Sequence, residues 1–148
     1  MLPTRYRNRP CRPTLSERVG PWALRDLHYN QYLRYAALLL PTADASNAIA
    51  DAFDELAARW AHVLAAPSPA ACAWQAVRRH VHTTGGPLWP VAHLSEPQQD
   101  VLVLHLVLDL AEPQVAELTG TEPAAVQMHL RSIHATPVPR RRAWESAQ

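Results

Sequence analysis

The stretch that decides the fold lies at residues 94–134 and reads LSEPQQDVLVLHLVLDLAEPQVAELTGTEPAAVQMHLRSIH. It opens on a capping box, in which the side chains of Ser95 and Gln98 each satisfy a backbone N–H at the start of a helix. A nearly all-apolar helix over about 101–110 follows, and then a short helix that ends at Gly120, where a left-handed conformation costs least. A second periodic segment comes after the glycine. Helix, short helix, glycine-containing turn and helix in this order predict a helix-turn-helix.

The last helix of this stretch is predicted over about 122–134, and its periodicity fixes which side faces the core. Three apolar residues recur at helical spacing and are predicted to be buried: Val126, Leu130 and Ile133. On the opposite side, Gln127 and Ser132 could read base edges, and Arg131 could contact guanine or phosphate. The rest of that outer face is apolar and suits protein contact better: Ala124, Ala125 and Met128.

Three further helices are predicted upstream, over about 22–40, 44–64 and 69–82. Asp44 is expected to cap the second helix and Ser68 the third. Residues predicted to face the core recur at three- and four-residue steps: Leu24, Leu27, Leu33, Tyr35, Ala36, Leu39, Ala45, Ile49, Ala52, Phe53, Leu56, Trp60, Val63, Leu64, Ala73, Trp74, Val77 and Val81. These three apolar stripes, together with that of the last helix, predict an all-α fold.

The third of these helices is the most basic part of the body of the chain. Its predicted outer face carries Arg78, Arg79 and His82 together with Gln75. Trp74 has two readings, as a core residue or as a platform for an unstacked base, and its periodicity favours the core. The next segment, 83–93, contains two Gly and two Pro and has no period, so it is the predicted internal linker.

Charge is segregated along the 148 residues, although the net charge is only +1. Residues 1–20 hold five Arg against one Glu, for +4, and residues 137–148 hold three Arg against one Glu, for +2. Residues 21–136 hold six Arg and eleven acidic residues, for −5. Two Arg-rich tails are therefore predicted around an acidic helical body, either to seek phosphates and acidic surfaces or only to aid solubility.

Several classes of protein are excluded or disfavoured. The longest strongly apolar run, 101–108, is too short to cross a membrane, and the N-terminus has no apolar segment of signal-peptide type, so a cytoplasmic location is expected. Cys11 and Cys72 form no framework and are expected to be reduced thiols. The eight His are scattered without the spacing of metal ligands, so no metal site is predicted. The sequence contains no phosphate-loop, nucleophile-elbow or zinc-protease motif, so neither a cofactor nor enzyme activity is predicted.

Residues 94–104, LSEPQQDVLVL, resemble the opening of the promoter-recognition domain, region 4, of small bacterial sigma factors of the extracytoplasmic-function group. Residues 110–130 fit the helix-turn-helix of that domain without a gap, a pattern that LuxR-type regulators share. The N-terminal half resembles sigma region 2 in three places: residues 33–36 (LRYA), Asp44-Ala45 together with residues 51–53 (DAF), and the Ala73-Trp74 pair followed by 77–79 (VRR).

The resemblance implies two small helical domains, region 2-like at 21–82 and region 4-like at 94–136, joined by a flexible linker at 83–93. It also implies binding to RNA polymerase core and to promoter DNA, with an anti-sigma or partner sigma protein as a further candidate partner. The residues implied to contact DNA are Arg78, Arg79, His82, Gln127, Arg131 and Ser132. The residues implied to contact polymerase, or simply to form a solvated helix face, are Asn47, Asp51, Asp54 and Glu55.

The sequence departs from the family pattern where DNA would be read. Position 123 is Pro where the family usually has Glu, and position 127 is Gln where it often has Lys or Arg. Residues 94–135 carry a single Arg against six acidic residues, which leaves little charge for phosphates. Two hypotheses follow: a sigma-like factor that binds polymerase and contributes to promoter recognition, or a sigma-like adaptor that works through protein contacts with weak or no DNA binding of its own.

Overall fold

The computed structural model describes residues 15–134, with side chains from residue 20 onward. In this range seven α-helices and no strand are present, so the all-α prediction is confirmed. The helices are, in order, α1 (Leu15–Ala36), α2 (Thr42–Ala58), α3 (Trp60–Ala65), α4 (Pro69–Gly85), α5 (Glu96–Leu102), α6 (Glu112–Thr119) and α7 (Pro123–His134). A 3-10 turn at Trp89–Val91 lies between α4 and α5, and a π-helical segment at Val103–Val107 continues α5.

Most of the predicted helix signals are found where the sequence places them. The Ser68 hydroxyl caps α4 by accepting the Ala71 N–H at 3.2 Å. At the start of α5, Ser95 and Gln98 form the reciprocal capping box. Gly120 ends α6 with φ 68° and ψ 32°, the left-handed conformation that glycine adopts without a steric penalty. The helix-turn-helix of α6 and α7 is therefore present as predicted.

Other predicted helix boundaries are wrong. The first helix ends at Ala36 rather than at Leu40, and turns occupy the residues between. The second helix begins directly after Pro41, which takes the N-cap position, so Asp44 lies in the first turn and caps nothing. The long helix predicted over 44–64 breaks at Arg59, whose φ of −127° is not helical. The apolar helix predicted over 101–110 also ends early, because its last turn widens into the π segment, where the Leu108 N–H donates to the Val103 carbonyl.

The predicted pattern of burial is right for most of the core and wrong at three positions. Trp74 is buried, as periodicity favoured. Leu27 and Leu64, predicted to face inward, are 64% and 41% exposed. The break at Arg59 explains the exposure of Leu64, because the residues after the break are rotated away from the buried stripe of α2. Arg78, predicted to face outward, is only 8% exposed because the C-terminal half covers it.

The two halves of the chain pack against each other, and their buried side chains form a single hydrophobic cluster. Helix α6 packs on α4, and the turn at Gly120 approaches α4 so closely that a Cβ there would lie 2.2 Å from the Ala71 nitrogen. Farther along, an Arg34 guanidinium nitrogen of α1 donates to the Leu108 carbonyl at 2.6 Å. The helix-turn-helix is thus held on the N-terminal helices.

The segment predicted as a linker, 83–93, contributes to this packing. Helix α4 continues three residues into it, and the side chains of Leu88 and Val91 are buried. The division into two small domains of the sigma type stays a prediction. Of the Arg-rich tails predicted at 1–20 and 137–148, only residues 15–20 lie inside the described range, and these belong to α1.

Candidate functional site

The predicted DNA-contacting residues of α4 are drawn into contacts within the chain, and Arg78 is the clearest case. Its Nε donates to an Asp100 carboxylate oxygen at 2.8 Å, and one terminal nitrogen donates to the Gln99 amide oxygen at 3.0 Å. Its other terminal nitrogen lies 3.4 Å from a carboxylate oxygen of Glu96. All three partners belong to α5, so this guanidinium ties α4 to the start of the C-terminal half.

Asp100 is held by α4 through both of its oxygens. Arg78 takes one, and the indole N–H of Trp74 donates to the other at 2.8 Å. The Asp100 side chain is only 7% exposed. Burial raises the pKa of the Asp100 carboxyl, and the charge of Arg78 opposes that rise. A buried carboxylate with these two donors is a structural ion pair, since removal of either partner would leave a buried charge without compensation.

His82 is also occupied at both ring nitrogens. Its Nδ1 lies 2.8 Å from the Gly86 carbonyl oxygen, and its Nε2 lies 2.8 Å from the Tyr35 hydroxyl. One neutral tautomer serves both bonds, with Nδ1–H donating to Gly86 and Nε2 accepting the phenolic proton. Burial lowers the pKa of His82. The ring therefore joins α1 to the end of α4 as a neutral group.

Arg79 is the most accessible of the three, at 56% side-chain exposure, and it pairs with Glu55 of α2. The same carboxylate accepts from His80 at 2.8 Å and lies 3.3 Å from an Arg59 nitrogen. The hydrogen bond from His80 lowers the pKa of the Glu55 carboxyl, and Arg79 acts in the same direction. Glu55, predicted to contact polymerase, thus has three cationic or hydrogen-bonding partners inside the chain.

The other predicted polymerase-contacting residues form an open acidic face on α2. Asn47, Asp51 and Asp54 are all exposed. They recur at steps of three and four residues, so they share one side of the helix. The buried stripe of the same helix lies opposite and holds Ala45, Ile49, Ala52, Phe53 and Leu56 in the core. This face, here called the α2 acidic face, keeps the accessibility that its predicted role requires.

The outer face of α7 is exposed as predicted, but two of its polar residues have partners within the chain. The Gln127 amide donates to Glu112 at 3.1 Å. The Ser132 hydroxyl accepts from the Gln98 amide at 2.9 Å and donates to the His129 carbonyl. The third polar residue, Arg131, is exposed beside a groove that it lines together with Gln127 and Leu130.

The apolar part of the α7 outer face is accessible too. Met128 is 58% exposed, Ala124 is exposed and Ala125 is partly exposed. The predicted DNA-contacting residues therefore lie in two places. Those of α4 line a groove against α5, and those of α7 lie on the surface of the helix-turn-helix.

Asp100 is the important residue that sequence reasoning did not single out. It stands immediately before the apolar run at 101–104, whose four residues are all buried. A charged residue at the edge of such a run needs a partner, because an unpaired buried charge is costly. That signal was available, but the sequence does not say that the partner would be Arg78, twenty-two residues away.

Residues 15–134 contain no group of three or more His, Cys, Asp or Glu side chains placed to hold a metal ion. No helix in that range combines the length and apolarity needed to cross a bilayer. Comparisons with protein-family models, with curated proteins and with solved structures find no match for this chain.

Proposed function

We propose that this chain is a sigma-like transcription protein that binds RNA polymerase core in the cytoplasm and works through protein contacts. In this proposal the α2 acidic face contacts a basic surface of the polymerase. The accessibility of Asp51 and Asp54 supports it, because within residues 15–134 neither ion pairs nor packing keep these carboxylates from a partner. The exposed apolar part of α7 around Met128 is the surface that would contact an anti-sigma or partner sigma protein.

One observation favours protein contacts over promoter recognition: Arg78 is buried against Asp100. A promoter-melting helix needs free cationic side chains, and here the cations of α4 are paired with carboxylates of α2 and α5. The region 4-like half cannot replace them, since residues 94–134 carry one Arg against six acidic residues. Affinity for duplex DNA comes largely from neutralised phosphates, each of which adds roughly 0.9 to the salt slope of binding. A surface with a single Arg can neutralise few phosphates and therefore has little affinity for duplex DNA.

A second candidate function, promoter recognition in the usual sigma manner, is favoured by one specific observation. The helix-turn-helix is completely formed, and Gln127 and Arg131 are exposed on the outer face of its second helix. In that geometry two side chains could reach base edges in the major groove. The two candidates differ in whether the isolated chain binds duplex DNA.

The test combines a polymerase pull-down with a DNA mobility shift on the full chain. Immobilised bacterial core polymerase should retain the wild-type chain, and Asp51→Arg should weaken that retention. The matched control is Asp26→Arg, the same charge reversal on an exposed residue of α1. The chain should shift no fragment of a promoter library at about 150 mM salt, because a complex held by only a few phosphate contacts dissociates at that salt concentration.

Failure of the wild-type chain to bind core would refute the proposal. Equal loss with Asp51→Arg and Asp26→Arg would refute the assignment of the α2 acidic face. A sequence-specific DNA shift that persists at about 150 mM salt would favour the promoter-recognition candidate instead.

A further inference from the structure

An apolar groove opens where the chain leaves the C-terminal ends of α1 and α4. Its volume is about 490 Å³. Residues 37–41, directly after α1, form one wall, and the end of α4 with residues 87–90 forms the other. None of the side chains that line it is charged. This size and this lining are typical of sites that bind a small group through apolar contact and a few polar atoms.

Trp89 stands at the edge of this groove with its ring largely in solvent. At 76% it is the most exposed large apolar residue in the part of the chain that the structure describes. Its neighbours Leu88 and Val91 are buried, and the Val91 N–H donates to the Leu88 carbonyl at 3.0 Å, so the backbone that carries the indole is anchored. An anchored, exposed indole offers a ready face to a cation.

The polar atoms of the groove are backbone carbonyls with partial negative charge. Helix C-termini carry such charge, because their last carbonyls have no partner within the helix. Within residues 15–134, no backbone N–H donates to the carbonyls of Ala37, Leu38 or Leu39, or to that of Gly85. The start of α2 also adjoins the groove, and Asp44 in its first turn offsets the positive end of that helix. The groove therefore favours a positively charged group.

The described part of the chain supplies no cation to this groove. Arg34 lies three residues before Ala37, but its guanidinium donates to the Leu108 carbonyl. His82, near the end of α4, is bonded to the Gly86 carbonyl and to the Tyr35 hydroxyl. The groove thus combines open acceptors, an apolar lining and an exposed indole, and no cationic side chain within residues 15–134 uses them.

We propose that this groove binds an arginine side chain from an extended basic segment of a partner protein. The guanidinium is planar, stacks on aromatic faces and carries several N–H donors, so it can meet the Trp89 ring and the open carbonyls together. Its methylene stem lies along the apolar lining. Lys has no plane to stack on the indole and is the poorer fit. This inference goes beyond the proposed function, because it involves neither the α2 acidic face nor α7.

The test measures binding of a short fluorescently labelled peptide, with one Arg between two Pro, to the full chain by anisotropy. Pro on either side keeps the peptide backbone extended. Matched peptides carry Lys or citrulline, which keeps the shape of Arg and removes its charge. The Arg peptide should bind saturably, the Lys peptide more weakly, and the citrulline peptide about tenfold more weakly, the value of one charge-assisted contact. Absence of saturable binding, or equal binding of the Arg peptide and either matched peptide, would overturn the inference.

Two variants at exposed positions locate the peptide in the groove. Trp89→Ala removes the stacking face and should weaken binding about fivefold, as expected for one cation–π contact. Its matched control is Trp22→Ala, at an exposed Trp of α1 outside the groove. Ala37→Arg places a cation at the groove and should weaken binding at least as much, whereas Ala23→Arg makes the same change elsewhere on α1. Circular dichroism checks that each variant folds. Equal losses in a variant and its control, or no loss with Trp89→Ala, would overturn the inference.

The Arg-rich residues 140–142 of the chain itself are the alternative occupant. Their triple replacement by Gln should leave peptide binding as in wild type. If the peptide binds only after that replacement, the groove takes a segment of its own chain and the assignment to a partner is wrong. The assay contains no polymerase, so its result is independent of the pull-down that tests the proposed function.

Discussion

Replacement of Gly120 tests whether the helix-turn-helix is held on α4. In Gly120→Ala the new residue would have to keep φ 68°, which costs an L-residue roughly 1–2 kcal/mol. Its Cβ would also lie 2.2 Å from the Ala71 nitrogen and 2.5 Å from the Ser68 hydroxyl oxygen. One of these two atoms belongs to the backbone of α4, so the turn and the helix must separate, at a further cost of about 1–3 kcal/mol. The expected total is about 2–5 kcal/mol, a large part of the stability of a chain this size.

Gly120→Asn separates the two contributions, because Asn tolerates the left-handed conformation but carries the same Cβ. It should still lose about 1–3 kcal/mol in urea denaturation followed by circular dichroism. Hydrogen exchange gives a local readout, since the amides at the start of α4 should exchange faster in both Gly120 variants. Gly86→Ala is the control: it also has a positive φ, of 78°, but no atom lies within 4 Å of the added Cβ. It should lose stability without loosening the start of α4. If Gly120→Asn stays within about 0.5 kcal/mol of wild type, the packing described here is wrong.

Three further predictions concern single side chains. Ser95→Ala removes the cap of α5 and should lower the free energy of unfolding by about 1 kcal/mol in urea denaturation. An unchanged free energy of unfolding would contradict the capping role. Burial lowers the pKa values of His82 and His28 in the folded chain below the unfolded value of about 6.5. As the pH falls below about 6.5, the unfolded chain therefore binds protons at these residues before the folded chain does, and stability is lost. Thermal melts from about pH 7.5 to about pH 5.5 should therefore show falling stability, with a shallower slope in His82→Gln; an identical slope would contradict the assignment. Arg79→Ala breaks the exposed pair with Glu55 and should change stability by less than about 1 kcal/mol, so a larger loss would mean that the pair contributes more than exposed pairs do.

Local signals predicted the parts of the fold that depend on neighbours in sequence. The capping box at Ser95, the cap at Ser68 and the glycine at position 120 each satisfy backbone groups within a few residues, so a sequence pattern is sufficient to find them. The break at Arg59 has no such signal, because Ala, Arg and Trp around it are compatible with a continuous helix. The apolar pattern therefore predicts the wrong face for Leu64.

The candidate site was harder to predict than the fold, because it depends on contacts between distant residues. Periodicity places Arg78 on the side of α4 away from the N-terminal core, and that placement is correct for the N-terminal half alone. The C-terminal half then covers this side with Asp100, which converts an exposed cation into a buried one. The α2 acidic face is exposed as predicted, since within residues 15–134 no other helix packs over Asp51 and Asp54.

The central claim, that this chain acts on polymerase by protein contact and not by binding duplex DNA on its own, is tested most directly by one competition titration. A fluorescently labelled full chain is titrated with bacterial core polymerase, with and without a large excess of duplex promoter DNA. Saturable binding of micromolar affinity or tighter, unaffected by the DNA, is the predicted result. Absence of saturable binding, or displacement of the chain from polymerase by the DNA alone, would contradict the account.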